Sequence, residues 1–412
     1  MTASTIDATG NAATWLWPRL IDAGAQPTAR AALRAASVIE WRYYAVLSPA
    51  FHGIVGLALV NPQRRFGLIA ESGLLVIVAG VLDRPTPPAS AATAPDTPQL
   101  TPPPAFCWMH LFPTETCSFD AGAPGSVTAG DADCCIAVAH DGPAVADIEL
   151  EAGAGLLLRL SHVGLAGSAL APAHGQDFPG ALGSGWLGAH WSVDCPSPVA
   201  ASDGSLTLGE QLLWTLAEGP GSTPGYATAA LRRRVAAGHN HWSWRSATGY
   251  YEHSYGIRPL PLHGWDFLFV PDADAGQAVV LQTYRGSRAL RYLDVCWRQA
   301  GEHCHQRFGA AGLDLTWAER VRDPVLGVRR PRLRRIEAAA NGLRLSLTNR
   351  VLYHLPLLRR ERAAVRHFFI SEEIGVADWR LTDSRGTVLA SAQGQPCGGE
   401  LAHRRWRAPR AR

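Results

Sequence analysis

The chain contains no lysine; all 38 basic residues are arginine. That absence removes Schiff-base catalysis, a pyridoxal-phosphate lysine and the lysine of a phosphate-binding P-loop. Charged residues are also sparse, at 18% of the chain against 47% hydrophobic. This composition excludes a disordered polyelectrolyte and indicates a folded globule. No C-x-x-C occurs among the eight cysteines Cys107, Cys117, Cys134, Cys135, Cys195, Cys296, Cys304 and Cys397. Their irregular spacing points to neither a zinc site nor a disulfide framework. There is no G-x-S-x-G elbow and no H-E-x-x-H pair, so neither of those hydrolase signatures applies. The opening MTASTIDATGNAATW has no basic region and no long apolar core. No secretory signal is expected there, and the expected location is the cytoplasm, with reduced thiols.

A membrane span is not expected either. The longest apolar run, FGLIAESGLLVIVAGVL at residues 66–82, is broken by Glu71 and Ser72. Two buried strands joined at 71–73 explain it better than a spanning helix. A lipophilic substrate would still bring the protein to the inner membrane surface, so peripheral association stays open.

What is present fits an all-β protein. With 412 residues the chain exceeds most single cores, and its 41 glycines and 29 prolines supply many turns. Residues 11–37 are Ala-rich and read as a short helical lead-in, giving a first segment of 1–37. Strand signals follow over Val38–Leu47, Gly53–Val60, 66–70, Leu74–Val81, Ala105–Leu111, Cys134–Val138, Val145–Leu150, Gly155–His162, His190–Val193 and Ser205–Leu216. Residues 84–104 are low-complexity and Pro-rich and read as a loop excursion. Tyr226–Ala237 reads as a short helix or strand, and a domain boundary is expected there, dividing 38–237 from 238–412. The second set covers Trp265–Val270, Ala278–Tyr284, 290–297, Leu343–Thr348, Arg366–Ile370, Trp379–Thr382 and 387–390. Two successive sets of short strands imply two β-barrels or sandwiches.

Charge is split between the halves. Residues 1–231 hold 8 arginines against 19 acids, and residues 232–412 hold 30 against 16. The second-half arginines sit mostly singly along strand-like segments, as a solvated face or a surface docked on the acidic half would have them. A nucleic-acid partner is not expected; the partner expected is a hydrophobic small molecule.

The chemistry concentrates in HWSWRSATGYYEHSYGIRPLPLHGWDF, residues 241–267. One carboxylate, Glu252, lies among His241, Trp242, Trp244, Tyr250, Tyr251, His253, Tyr255 and Trp265. On an extended backbone Tyr250, Glu252 and Ser254 share one face, and Tyr251, His253 and Tyr255 the other. A carboxyl among aromatic rings loses hydration, and its pKa rises until it can act as an acid near neutrality. The faces of Trp and Tyr would then stabilise a cation by roughly 0.5–2 kcal/mol each.

GYYEHSYG (249–256), with Pro259-Leu260 and Trp265-Asp266-Phe267 after it, resembles the motif of carotenoid 1,2-hydratases (hydroxyneurosporene synthases). That motif reads G-Y-x-D-x-N-x-G, then P-L, then W-x-W. His190-Trp191 with Pro196 and Pro198 is similar to an upstream element of the same family. Glu40-Trp41-Arg42-Tyr43-Tyr44 resembles the E-W-W-Y strand of that family and of AttH-like proteins. Glu252 stands where the family has Asp, Ser254 where it has Asn, and Phe267 where it has the second Trp. The resemblance implies two consecutive lipocalin-like β-barrel domains with a ligand pocket near their junction. It also puts Glu252 at the position of the catalytic acid and implies a cofactor-independent reaction.

The expected site follows. Glu252 is the acid, with Tyr250 and His253 as catalytic neighbours. His190, Trp191, Trp244, Tyr255, Trp265, Glu40 and Tyr43 are expected to bind substrate. The expected reaction protonates a C=C bond of a long apolar isoprenoid or polyene, and water (hydratase) or an internal nucleophile (cyclase) captures the cation. A pericyclase working by substrate preorganisation, and a non-catalytic carrier of an apolar ligand, are the alternatives. His239-Asn240-His241 and His303-Cys304-His305 could each aim two imidazoles one way, but neither has a third ligand at telling distance, so no metal is expected. Gly183–Gly188 matches G-x-G-x-x-G without the strand and helix that a dinucleotide site needs.

Overall fold

A computed structural model describes residues 38–60, 73–84, 103–120, 125–142, 145–153, 155–165, 168–170, 173–176, 190–216, 225–257, 264–284, 291–322, 329–362 and 366–406. The helical lead-in expected at 11–37, the strand expected at 66–70, most of the Pro-rich 84–104 segment and Pro259-Leu260 lie outside the described residues.

The first sheet contains β1 (Val38–Leu47), β2 (Phe51–Val60), β3 (Gly73–Leu82), β4 (Ala105–Pro113), β5 (Cys117–Phe119), β6 (Val127–Gly130), β7 (Cys134–Asp141), β8 (Val145–Ala152), β9 (Leu156–Gly164), β10 (Ala173–Gln176), β11 (His190–Leu208), β12 (Gly225–Ala227) and β13 (His241–Ile257). Two short helices, α1 (Glu210–Thr215) and α2 (Ala229–Ala236), precede β13. The second sheet contains β14 (Gly264–Asp272), β15 (Gln277–Tyr284), β16 (Arg291–Gln299), β17 (Glu302–Gly309), β18 (Leu313–Arg322), β19 (Arg329–Ala340), β20 (Leu343–Arg362), β21 (Arg366–Thr382) and β22 (Val388–Trp406). Both sheets are antiparallel and curl into half-barrels, the all-β, two-unit lipocalin-like arrangement expected from the sequence. Among the described residues no helix is long and apolar enough to cross a membrane.

Three apolar layers explain the strand patterns. Tyr44, Val46, Val76, Leu158 and Trp244 fill the concave side of the first sheet. Leu268, Val279, Leu293 and Trp379 fill that of the second. A third layer lies between the sheets and joins Tyr43, Ile77 and Tyr250 of the first to Phe267, Phe269 and Val280 of the second. β3 is therefore covered on both faces and is buried along its whole length; strands of this kind read as continuous apolar runs. β7 and β8 lie away from the second sheet and alternate buried with exposed.

Sheet membership divides the chain later than the expected 237/238 boundary. β13 pairs with β1 on one side and β11 on the other, so 241–257 belongs to the first sheet, and the second begins at Gly264. β1 needs an antiparallel neighbour on its free edge, and β13 supplies all ten rungs from Val38 to Leu47. The segment Ser205–Leu216, expected as one strand, ends β11 at Leu208 and continues as α1.

Candidate active site

β13 carries the site, and its alternation is as the sequence implies. Glu252 is buried and faces the second sheet together with Tyr250 and Ser254. The Tyr250 hydroxyl donates to Glu252 Oε2 at 2.7 Å, and Ser254 Oγ donates to Oε1 at 2.6 Å. A third donor comes from the second sheet, where Gln282 Nε2 reaches Oε2 at 2.6 Å. Burial raises the Glu252 pKa; the three hydrogen bonds, which favour the anion, pull it back, and the charge of Asp194 adds to the rise.

Two further carboxyls from the second sheet share this layer. Glu372 on β21 and Glu400 on β22 are paired rung to rung, and both are buried. The Tyr43 hydroxyl donates to Glu372 Oε1, and Trp265 Nε1 donates to Glu400 Oε1 at 2.5 Å. Oε2 of each is buried without a hydrogen-bond partner. Burial, with the neighbouring Glu400 charge, holds Glu372 well above the carboxylate range. Glu400 is pushed up to about 8 by burial and by the charge of Glu252, against the pull of the Trp265 indole.

The walls are aromatic. The Tyr250 and Phe269 rings stack with centroids 4.5 Å apart, and Tyr43 meets Phe267 edge-on at 5.9 Å and Phe269 at 5.8 Å. Trp265 lies 6.0 Å from Tyr284. Three carboxyls, neutral donors and five rings (Tyr43, Tyr250, Trp265, Phe267 and Phe269) thus converge between the sheets.

Other expected site residues lie elsewhere. His253 follows Glu252 in the chain and therefore points to the opposite face, where its Nε2 is 2.7 Å from Glu40 Oε1. Glu40 and Tyr43 are three positions apart on one strand, so only Tyr43 reaches the inter-sheet layer. Trp244 packs in the first sheet's concave core, 5.3 Å from Phe51. An inserted residue at Ser246, with φ of 47° and its amide on Asp203 Oδ1, reverses the alternation between Trp244 and Tyr250. His190, Trp191 and Tyr255 are placed by their backbone alone: His190 pairs with Ile257, Trp191 with Gly256 and Tyr255 with Glu40.

The concave face of the first sheet has its own buried polar network. Arg42 Nη1 lies 3.0 Å from the Tyr251 hydroxyl and 3.3 Å from His140 Nε2, and Tyr44 lies 2.7 Å from the same imidazole nitrogen. Burial lowers His140 and His162 to about 3, so both imidazoles are neutral.

Among the described residues one group has ligand atoms close enough for a metal, namely His110, Asp131 and Cys134, all within 4.8 Å. Asp131 is already engaged there: its Oδ1 accepts the amides of Asp133 and Cys134, and its Oδ2 lies 2.6 Å from His110 Nε2. Burial also pushes the Cys134 thiol up to about 12, which disfavours the thiolate. Neither H-x-H pair joins such a group; His241 contacts Thr207, and His305 contacts Asp294.

No family model and no curated protein sequence matches the chain. By structure it is similar to an AttH candidate from Nitrosomonas europaea, at 12% identity and a TM-score of 0.44, covering 89% of this chain and 92% of that one. It is similar to CghA at 14% identity and a TM-score of 0.46, with 89% and 88% covered. A third is kievitone hydratase from Nectria haematococca, at 9% identity and a TM-score of 0.45, again with 89% and 88% covered.

Proposed function

We propose that the chain is an enzyme that protonates a carbon–carbon double bond of a long apolar isoprenoid or polyene at the inter-sheet carboxyl site. Capture of the resulting tertiary cation by water gives an alcohol; capture by an internal alkene or hydroxyl gives a ring. The observation that carries this reading is the trio Glu252, Glu372 and Glu400: buried, raised in pKa and bonded only to neutral donors among aromatic rings. Like charges gathered in such a setting cannot all ionise, so the trio holds at least one proton near neutrality.

The surrounding groups would divide the work. Ser254, Tyr250 and Gln282 fix the Glu252 carboxyl from both sheets, so its oxygens do not need to reorganise during proton transfer. Tyr43, Tyr250, Phe267 and Phe269 present ring faces and edges where the cation forms, each face contributing roughly 0.5–2 kcal/mol. A dry layer of this kind delays capture until a positioned nucleophile is in reach. The resemblance of GYYEHSYG to the carotenoid hydratase motif agrees with Glu252 in a catalytic position.

The test is turnover of linear prenyl and polyene substrates by the wild type and by Glu252→Gln, with folding checked by circular dichroism. A loss of at least about 100-fold with the fold retained is expected. Undiminished product formation by the variant would favour a pericyclic reaction governed by shape. Stoichiometric binding with the ligand recovered unchanged would favour a carrier.

A further inference from the structure

We infer that Glu400, rather than Glu252, holds and delivers the proton, and that Glu252 is the ionised partner that receives one from the capturing nucleophile; this rests on the acid chemistry proposed for the site. Neither Glu400 nor its neighbour Glu372 belongs to the 241–267 motif, and both were invisible to it.

The hydrogen bonds decide the assignment. A neutral carboxylic acid needs one oxygen for its own O–H, with room for that hydrogen to point at an acceptor. Both Glu252 oxygens are occupied: Oε1 by Ser254, and Oε2 by Tyr250 and Gln282. Three donors aimed at one carboxyl stabilise its anion. Glu400 has a single donor, the Trp265 indole on Oε1, and leaves Oε2 buried and unpartnered. That oxygen is the place for a transferable proton.

The groups facing Glu400 favour the same division. They are Glu252 of β13, Tyr43 of β1, Trp265 of β14 and Glu372 of β21. Asp294 of β16 is taken up by Arg307 and His305. Among the described residues none of the three carboxyls pairs with an arginine or histidine. The anions therefore repel one another with no cation to offset them, and the proton goes to the carboxyls with the fewest donors. Of those, Glu400 is the one that the Glu252 charge reaches, whereas the charges beside Glu372 are those of Glu400 and Glu373, so Glu400 is the carboxyl placed to exchange a proton with Glu252.

The step balances. The Glu400 Oε2–H bond breaks, and the alkene π pair takes the proton at the less substituted carbon, leaving a tertiary cation and the Glu400 carboxylate. Water oxygen bonds to the cation and passes its proton to Glu252. Transfer of that proton from Glu252 to Glu400 restores the site, and the net change is addition of one water.

The test is an infrared pH titration of the full chain without substrate, comparing wild type with Glu400→Gln, Glu252→Gln and, as an isosteric control on the adjacent rung, Glu372→Gln. The wild type should show a protonated-carboxyl band that disappears around pH 8. That component should be absent from Glu400→Gln and present in Glu372→Gln. In Glu252→Gln it should persist with its midpoint moved to lower pH, because the charge that raised it is gone. A band lost from Glu252→Gln and unchanged in Glu400→Gln would overturn the assignment. A catalytic arm in D₂O with a linear trisubstituted polyprene separates the two readings. Labelling lost from Glu400→Gln supports the inference. Labelling at the wild-type rate by Glu400→Gln, but not by Glu252→Gln, overturns it and leaves the acid chemistry standing. Absence of label in the wild type counts against the proposed function, and the infrared titration still locates the proton.

Discussion

Glu372 and Glu400 face each other across one antiparallel rung between β21 and β22, each with a carboxyl oxygen buried and unpartnered. Like charges directly opposite destabilise a sheet, and no strand position requires either carboxylate. Their presence in an apolar inter-sheet layer is the feature that most needs a functional explanation.

The Glu400 carboxyl should make stability depend on pH. Its folded-state value of about 8 lies above the ordinary 4.5, so between these values the folded state binds the extra proton. Stability therefore falls as pH rises from about 4.5 and levels off above about 8, by an amount on the order of 5 kcal/mol. Glu400→Gln should remove this contribution and make the slope shallower, leaving that of the other raised carboxyls. Chemical denaturation of wild type and variant at about pH 5 and about pH 8 measures it; parallel slopes would count against a buried, protonated Glu400.

Trp265 should tune the acid. Its indole N–H lowers Glu400, so Trp265→Phe should raise the Glu400 pKa and shift the basic limb of activity to higher pH. A pH–rate profile of the variant reads this shift. A limb that stays in place or moves down contradicts the role given to the indole.

His253 should prove structural. Its partner Glu40 is buried with it on the far face of β13. His253→Asn should therefore cost about 3 kcal/mol, since breaking a buried pair strands one partner. Catalysis by the folded fraction should stay close to wild type. Denaturation curves, and turnover normalised to folded protein, distinguish this from a proton relay, which would lose turnover.

The second sheet's concave face carries a separate buried pair of carboxylates around Arg334. Arg334 Nη2 meets Asp266 Oδ1 at 2.7 Å and also Glu373, and its Nη1 donates to Asn349 at 3.0 Å. Arg334→Met removes the arginine that two buried acids share, leaving Glu373 only His354, and should cost about 3–5 kcal/mol at neutral pH. The loss should shrink in acid, as Asp266 and Glu373 take up protons. Thermal melts across pH check both the size and the direction.

The sequence was informative where period-two alternation or a local motif governs the structure. β1 is read to its ends, and the faces of Tyr250, Glu252 and His253 follow from spacing alone. Trp244 lies off the expected face because one inserted residue near Ser246 reverses the alternation, and no glycine marks it. β17, β18 and β19 carry no clear strand signal: their charged and apolar residues mix on half-exposed strands, as in RRPRLRRIEAAA. Glu372 and Glu400 lie more than a hundred residues from Glu252; antiparallel pairing sets them opposite each other, and packing of the second sheet on the first brings them to Glu252. The one available signal was an acid inside apolar strand sequence, in ISEEIGV and GGELA. Burial of such an acid can be guessed from sequence, but its partner cannot.

The most direct measurement of the central claim is incubation of the purified protein with linear prenyl and polyene substrates in D₂O, with products read by mass spectrometry. One non-exchangeable deuterium per product molecule is expected, because a carboxyl proton becomes a C–H bond. Addition of one water to the substrate mass then marks hydration, and unchanged formula apart from the label marks cyclisation. Product formed without deuterium would contradict protonation as the initiating step.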